Sequence, residues 1–165
     1  MGKVADDDYV EFVRSRLPQL RRAACLLAGD WARGDDILQR ALTDVYVRWA
    51  SVRRAANVDA YVRTVLVHRF IDEQRRGWSR VVLLDELPER VGSTEDPAAG
   101  MDLRSALAEL PPRQRAVLVL RFLCDMSVED TAATLKISSG TVKSQTSNGL
   151  DTMRRLLAPA QPEMR

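Results

Sequence analysis

Residues 127–153 constrain the fold of this chain more than any other stretch, because their spacing fits two short helices joined by a tight corner. Ser127 is a good N-cap for the first helix, and Asp130, three residues later, completes a variant of the capping box. Ser138 is the N-cap of the second helix. Lys136 stands at the corner, where a left-handed residue, usually Gly, is often needed, so we expect a strain of ~1 kcal/mol there. The spacing therefore predicts a helix-turn-helix unit.

The second of these helices has two contrasting faces. Its inner face is small or apolar and comprises Val142, Gly149, Leu150 and Met153. Residues 138–150 contain no carboxylate, which suits a helix that approaches phosphates and base edges in a major groove. A packed helix pair with a merely solvated outer face is the alternative, but such helices usually carry Glu–Lys pairs. We favour DNA recognition by the outer face, which presents Ser139, Thr141, Lys143, Gln145, Thr146 and Asn148.

The charge pattern divides the chain into two helical blocks. The net charge is only +2, but residues 80–102 hold six carboxylates against two arginines, together with several Pro and Gly residues. This composition is typical of a linker. Residues 1–79 and 103–165 are both mildly basic, and few aromatics with abundant Ala, Leu, Val and Arg suit helix bundles. The sequence predicts an all-α fold of two small helical domains joined by a flexible acidic linker, rather than one continuous core.

The first block contains three helical patterns: one that ends before Gly29, one that starts at the N-cap Asp30, and one over residues 59–76. The third ends in a basic cluster beside the aromatic residues Phe70 and Trp78. Cations next to aromatic rings suit single-stranded nucleic acid, on whose bases rings can stack. A solvated charged helix end fits equally well, so both readings stay open.

Several functional classes are disfavoured by composition. No apolar run approaches the ~20 residues of a bilayer span, and the acidic start is no secretory signal. Cys25 and Cys124 lie in apolar helical stretches, which favours buried free thiols over a disulfide or a zinc site. His68 with Asp72 lacks the nucleophile or metal partner that catalysis would need. We expect a cytoplasmic protein that is no enzyme, with no catalytic residue, no cofactor and no metal.

Three stretches, in this order, resemble the extracytoplasmic-function (ECF) sigma factors of the sigma-70 group. GDWARGDDILQRALTDVYVRW resembles their element that docks on the clamp of bacterial RNA polymerase, and AYVRTVLVHRFIDEQRR resembles their promoter-melting helix. LPPRQRAVLVLRFLCDMSVEDTAATLKISSGTVKSQTSNGL is similar to their minus-thirty-five-binding domain. The matches cover about residues 8–80 and 104–157, and the LPPRQR–GTVKSQTS combination resembles the actinobacterial SigE-like branch.

The resemblance implies how the chain is divided and what it does. Residues 1–80 would form a sigma region 2 helix bundle, 81–103 a linker, 104–158 a sigma region 4 helix-turn-helix domain and 159–165 a tail. Such a protein binds core RNA polymerase and promoter DNA, reads minus-ten and minus-thirty-five elements and stabilises the melted strand. An anti-sigma factor is a further partner to consider, and membrane insertion is not expected. The linker is either a nucleic-acid mimic near the RNA channel of polymerase or a solvated tether.

The resemblance also implies three sets of binding residues. Polymerase would be bound by Asp35, Asp36, Leu38 as an apolar anchor, Gln39 and Arg40. The minus-ten set would comprise Arg53, Arg54 and Asn57, which hold an extruded base, and Tyr61, His68, Arg69, Arg75 and Arg76 along the strand. The minus-thirty-five set would comprise Arg113, Arg115, Ser139, Thr141, Lys143, Ser144, Gln145, Ser147 and Asn148.

Three positions depart from the pattern of that family. It usually has Glu where Arg40 stands and often Asn where His68 stands. It commonly has Arg at the position of Asn148, so this chain either loses one phosphate contact there or reads an adenine with the amide. The sequence does not decide between these two roles.

Two other classes of protein were weighed. An autonomous helix-turn-helix regulator would bind a palindromic site without polymerase, but the clamp-like DDILQ segment and the lack of an evident dimer seam argue against it. A small hydrolase would need convergent catalytic groups, and the chain has one His and no Gly-rich phosphate loop.

Overall fold

The structure is a computed structural model that describes residues 2–84 and 102–159, with residues 78–84 as backbone alone. All regular structure within these ranges is helical, which confirms the predicted all-α class. The elements are α1 (Lys3–Ala28), α2 (Trp31–Val47), α3 (Trp49–Val52), α4 (Val58–Leu84), α5 (Leu103–Glu109), α6 (Pro112–Leu118), a π-helical turn (Val119–Leu123), α7 (Val128–Leu135) and α8 (Ser139–Leu157). Most of the predicted linker, the side chain of Trp78 and most of the predicted tail lie outside the described residues.

The hairpin of α1 and α2 is built by a left-handed glycine and a capping aspartate. Gly29 ends α1 with φ 80°, and its N–H donates to the carbonyl of Cys25 over 2.8 Å. The carboxylate of Asp30 then accepts from the backbone N–H of Ala32 at 3.0 Å, as its predicted N-cap role requires. The two helices pack closely at Gly34, where a Cβ would lie 2.8 Å from backbone atoms of Cys25.

The third long helix, α4, extends well beyond the predicted residues 59–76. Asn57 precedes it, and its side-chain oxygen accepts from the N–H of Ala60 at 3.0 Å. Gly77 does not end the helix, because one interior Gly costs only about 1 kcal/mol and no Pro follows before residue 88. The helix packs on both α1 and α2 and completes a three-helix bundle.

The helix-turn-helix predicted from residues 127–153 is confirmed in its caps and its corner. The Ser127 hydroxyl oxygen accepts from the N–H of Asp130, and the Ser138 oxygen accepts from that of Thr141, both over 3.0 Å. Lys136 lies in the left-handed region with φ 55° and ψ 46°, as expected. Helices α7 and α8 pack on each other and on the layer formed by α6 and the π-helical turn.

The two groups of helices, α1–α4 and α5–α8, pack directly against each other. Buried residues of both groups, such as Leu27 and Phe70 in the first and Leu107 and Leu120 in the second, belong to one hydrophobic cluster. The charge pattern of the chain did not reveal this contact. Its physical cause is that α7 and α8 cover only part of the apolar surface of α5 and α6, and α1 covers the rest.

Candidate nucleic-acid and protein interfaces

The outer face of α8 is polar and open to solvent. Lys143, Ser144, Ser147 and Asn148 are exposed, whereas Ser139, Thr141 and Gln145 are half-buried. The opposite side of the helix buries Val142, Gly149 and Met153, as predicted. The cap and the buried inner face fix the helix on α6 and α7, so its outer side chains form a preorganised polar surface.

An open groove beside this face adds two cations that sequence reasoning missed. It is lined by Arg121 from the π-helical turn, Val128 at the start of α7, and Lys143, Thr146, Ser147, Leu150 and Arg154 from α8. The guanidinium of Arg121 donates to the carbonyl of Met126, and Arg154 forms an ion pair with Asp151 at 3.0 Å. The helical spacing from Lys143 to Arg154 could have revealed the second cation, but Arg121 comes from a different element.

Arg113 and Arg115 lie at the start of α6 but in different environments. Arg113 is exposed, as a phosphate contact requires. Arg115 is only 7% exposed, and its guanidinium donates to the carbonyls of Leu27 at 2.7 Å and Leu110 at 3.3 Å. In this arrangement Arg115 is therefore not at a DNA-facing surface, contrary to the sequence-based prediction, because it points into the contact between the two helix groups.

The residues expected to bind polymerase share α2, but they do not share one surface. Leu38 is 4% exposed and packs in the core, so it is not available as an apolar anchor at the surface. The resemblance to the family predicted that Leu38 would lie on the docking surface. In the structure Leu38 is buried, as is its neighbour Ile37. The three residues that remain exposed are Asp36, Gln39 and Arg40.

The charged side chains of this surface are paired within the chain. Arg21 of α1 donates to both carboxylate oxygens of Asp35, at 2.7 and 2.9 Å, and this hydrogen bond holds the pKa of Asp35 below its ordinary value. Arg40 forms an i,i+4 ion pair with Asp36 at 3.0 Å. Arg40 therefore neutralises a neighbouring carboxylate on the face where the resemblance places a negative charge.

The loop of residues 53–57, between α3 and α4, presents its polar groups in three different ways. Arg54 is exposed, and Arg53 forms an ion pair with Asp8 of α1 at 2.6 Å. Asn57 is exposed but uses its side-chain oxygen to cap α4. Because Arg53 is held by Asp8 and Asn57 caps a helix, Arg54 is the side chain of the three that is best placed to reorient toward a ligand.

Helix α4 brings the remaining members of the minus-ten set onto one element. Arg75 and Arg76 are exposed in its second half, and Tyr61 is half-buried against the core. Arg69 is held in an ion pair by Asp44 of α2. His68 is partly buried and contacts another helix, since its Nε2 lies 2.9 Å from the carbonyl oxygen of Thr134 in α7.

Sequence reasoning missed the carboxylates that hold these arginines. Asp8 and Asp44 are separated from Arg53 and Arg69 by 45 and 25 positions in the chain, so no local spacing connects them. The same holds for Arg16 with Asp59 at 2.6 Å. Each arginine is thus oriented before any ligand arrives, which reduces the entropy that binding would cost.

Neither a membrane span nor a metal site is found in the described parts of the chain. No helix there combines the length and the apolar character that crossing a bilayer requires. The same residues contain no group of three or more His, Cys, Asp or Glu side chains placed to hold a metal ion.

The chain is similar to known proteins, in its second half to a family model and over almost its whole length to individual relatives. The family model "Sigma-70, region 4" matches residues 100–153, which span the exposed face of α8 and the helix-turn-helix. The RNA polymerase sigma-E factor of Streptomyces coelicolor is 37% identical over 99% of this chain and 89% of that protein. The ECF RNA polymerase sigma factor SigE of Mycolicibacterium smegmatis is 30% identical over 98% of this chain and 66% of its own length.

The fold of the whole chain has a solved counterpart. The sigma factor RpoE of Bartonella quintana, in a co-crystal structure with the anti-sigma factor NepR, superposes with a TM-score of 0.76. The two chains are 26% identical, and the match covers 93% of this chain and 99% of the other. The likeness therefore includes both helix groups and is not confined to the helix-turn-helix.

Proposed function

Because the chain belongs to the extracytoplasmic-function RNA polymerase sigma factors, a family that directs transcription initiation, we propose that its two helix groups read two separate promoter elements while α2 binds core RNA polymerase. The observation that carries this proposal is the outer face of α8. It is exposed, free of carboxylates from residue 138 to 150, and fixed by two serine caps on a helix-turn-helix. Of these features, the absence of carboxylates is the one that distinguishes this face from a merely solvated helix face, which usually carries Glu–Lys pairs.

Helix α8 reads the minus-thirty-five element in the major groove. Lys143 and Arg113 supply charge for phosphates, and the hydroxyl and amide groups of Ser144, Ser147 and Asn148 reach base edges or phosphates. The groove cations Arg121 and Arg154 extend this basic surface along the DNA backbone.

The loop of residues 53–57 and helix α4 stabilise the melted minus-ten strand. Arg54 and Arg76 are exposed and able to follow the backbone of a single strand. Arg53 and Arg69 are positioned by Asp8 and Asp44, which leaves part of each guanidinium to face a phosphate. Extruding a base costs a few kcal/mol, which such contacts offset.

Helix α2 presents Asp36, Gln39 and Arg40 to polymerase. The buried position of Leu38 limits the docking surface to these polar side chains, so complementarity of charge rather than an apolar anchor sets the contact. The chain acts by binding in the cytoplasm and catalyses no reaction itself. The co-crystal partner of the Bartonella protein supports an anti-sigma factor as a further partner of this chain.

The docking surface is tested by reversing one charge. Asp36→Arg is expected to lower the affinity for purified core RNA polymerase at least tenfold, measured by fluorescence anisotropy of the labelled chain. Asp151→Arg is the matched control, since Asp151 is equally an exposed carboxylate paired with an arginine of its own helix, Arg154 at 3.0 Å. Equal affinities of the two variants for core would show that α2 does not dock in this way.

A further inference from the structure

The first helix group leaves a large aromatic side chain open to solvent at the start of α2. Trp31, the first residue of that helix, is 46% exposed, whereas Trp49, the first residue of α3, is buried. Leu17 of α1 is also open to solvent, with 40% of its surface exposed. Exposed apolar side chains that lie among charged groups are typical of a contact with another protein.

Arg21 of α1 holds the indole ring of Trp31 in place. Its guanidinium carbon lies 5.0 Å from the centre of the ring, in a cation–π contact. The same guanidinium donates to both carboxylate oxygens of Asp35, one turn further along α2. Leu17 lies one turn before Arg21 on the same side of α1. We call these four residues, Leu17, Arg21, Trp31 and Asp35, the Trp31 patch.

A protein can cover the Trp31 patch at a small electrostatic cost. Asp35 balances the charge of Arg21, so a partner removes water from a neutral pair rather than from a lone ion. The bidentate pair and the cation–π contact also restrict the rotamers of Arg21 and Trp31 before binding, which lowers the entropy that binding costs. Tryptophan and arginine are the residues that most often dominate the energy of a protein interface.

The Trp31 patch is continuous with the docking surface of α2. Trp31, Asp35 and Gln39 follow one another at intervals of four residues, so they lie along one side of the helix. Gln39 belongs to the docking surface proposed above. A specific protein interface ordinarily involves about 20–30 residues a side around an apolar centre, which is far more than the few polar side chains of that surface.

From these observations we propose that the Trp31 patch extends the docking surface, and that core RNA polymerase covers the indole ring of Trp31. The proposal rests on the docking of α2 proposed above. Among the side chains that the family resemblance assigns, charge sets the contact, because Leu38 is buried. Trp31, which the resemblance does not assign, adds an apolar contact from outside that set, and Arg21 acts through Trp31 as a positioning residue.

Removing the indole ring tests the proposal. Trp31→Ala is expected to lower the affinity for purified core polymerase at least tenfold in fluorescence anisotropy of the labelled chain. Trp31→Phe keeps an aromatic ring and should lose less affinity. Val47→Ala is the matched control, since Val47 is an exposed apolar residue at the other end of α2, and it should bind core as the unaltered chain does. Urea denaturation should give the same midpoint for all three variants.

Run-off transcription separates docking on polymerase from the reading of DNA. At limiting chain concentration Trp31→Ala should yield much less transcript than the unaltered chain. At saturating chain concentration the two yields should be equal, because Trp31 contacts polymerase and not the promoter. A deficit that persists at saturation would overturn the assignment of Trp31 to docking.

A double substitution tests the positioning role of Arg21. Arg21→Gln removes both the cation–π contact and the ion pair, so it should lower the affinity for core severalfold. In the Trp31→Ala background the same substitution should lower the affinity less, because the ring that Arg21 holds is absent. An equal loss in both backgrounds would show that Arg21 does not act through Trp31.

The remaining outcomes distinguish this proposal from the proposed function. If Trp31→Ala bound core as tightly as Val47→Ala does, the extension would be wrong, while weaker binding by Asp36→Arg would still support docking through α2. A change from dimer to monomer on Trp31→Ala in analytical ultracentrifugation, at unchanged affinity for core, would show that the patch joins two copies of the chain instead. If the unaltered chain did not bind core, the proposed function would fail and this proposal with it.

Discussion

At the scale of single residues, Lys136 shows that this helix-turn-helix carries strain at its corner. Its backbone has φ 55° and ψ 46°, a region that costs most L-residues about 1–2 kcal/mol. The caps on either side, Ser127 and Ser138, and the packing of α7 on α8 hold it there. The sequence predicted this strain, because Lys136 stands at the corner, where a left-handed residue, usually Gly, is often needed.

Replacing this lysine by glycine should therefore stabilise the protein. Lys136→Gly is expected to raise the free energy of unfolding by about 1 kcal/mol relative to Lys136→Ala, measured by urea denaturation. The alanine variant removes the same charge but keeps a Cβ in the left-handed region, so it isolates the backbone effect. Equal midpoints for the two variants would mean that the corner is not strained.

Other residues of the candidate site could not be placed from sequence, because their environment depends on contacts far along the chain. Leu38 and Arg115 were both expected at surfaces, and both are buried. Arg115 shows the reason most clearly: a charged residue near a helix start ordinarily faces solvent, and only the packing of α1 on α6 supplies the carbonyl of Leu27 that satisfies it. Nothing in the sequence near Arg115 indicates that the carbonyl of Leu27 lies beside it, because the two residues are 88 positions apart.

At the scale of elements, local signals predicted the caps at which three helices begin and missed where another helix, α4, ends. Asp30, Ser127 and Ser138 cap the helices that they were expected to cap. Helix α4 runs on past Arg76 because nothing in residues 77–84 is a strong helix breaker. Helix α1 likewise continues through Pro18, since its following residues, from Leu20 to Ala28, are largely buried against neighbours.

The close approach of α1 and α2 makes Gly34 sensitive to a single methyl group. Gly34→Ala should lower the free energy of unfolding by about 1–3 kcal/mol, because its Cβ would meet the backbone of Cys25 at 2.8 Å. Gly140→Ala is the matched control in another helix, where the nearest atom is 3.9 Å away. The control should be neutral or slightly stabilising in urea denaturation. Equal stability of the two variants would contradict the tight packing of this hairpin.

At the scale of the whole molecule, the all-helical class of the chain was predictable and the contact between its two groups of helices was not. Periodicity predicts helices and a basic–acidic–basic charge pattern predicts a linker, so both signals are local. The shared cluster that contains Leu27, Phe70 and Leu120 arises from surfaces that meet only in three dimensions. The division into residues 1–80 and 104–158 stays a prediction, and the two groups of helices share one hydrophobic cluster.

The central claim is that this chain directs RNA polymerase to promoters, and run-off transcription with purified core enzyme tests it most directly. Genomic DNA of the source organism serves as template, with and without the chain. We expect discrete transcripts only when core and chain are both present, with start sites that share two upstream elements at a fixed separation. The claim would be contradicted if core polymerase made no transcripts in the presence of the chain and the chain did not bind core. Tight binding of the chain alone to a palindromic site would point to an autonomous regulator.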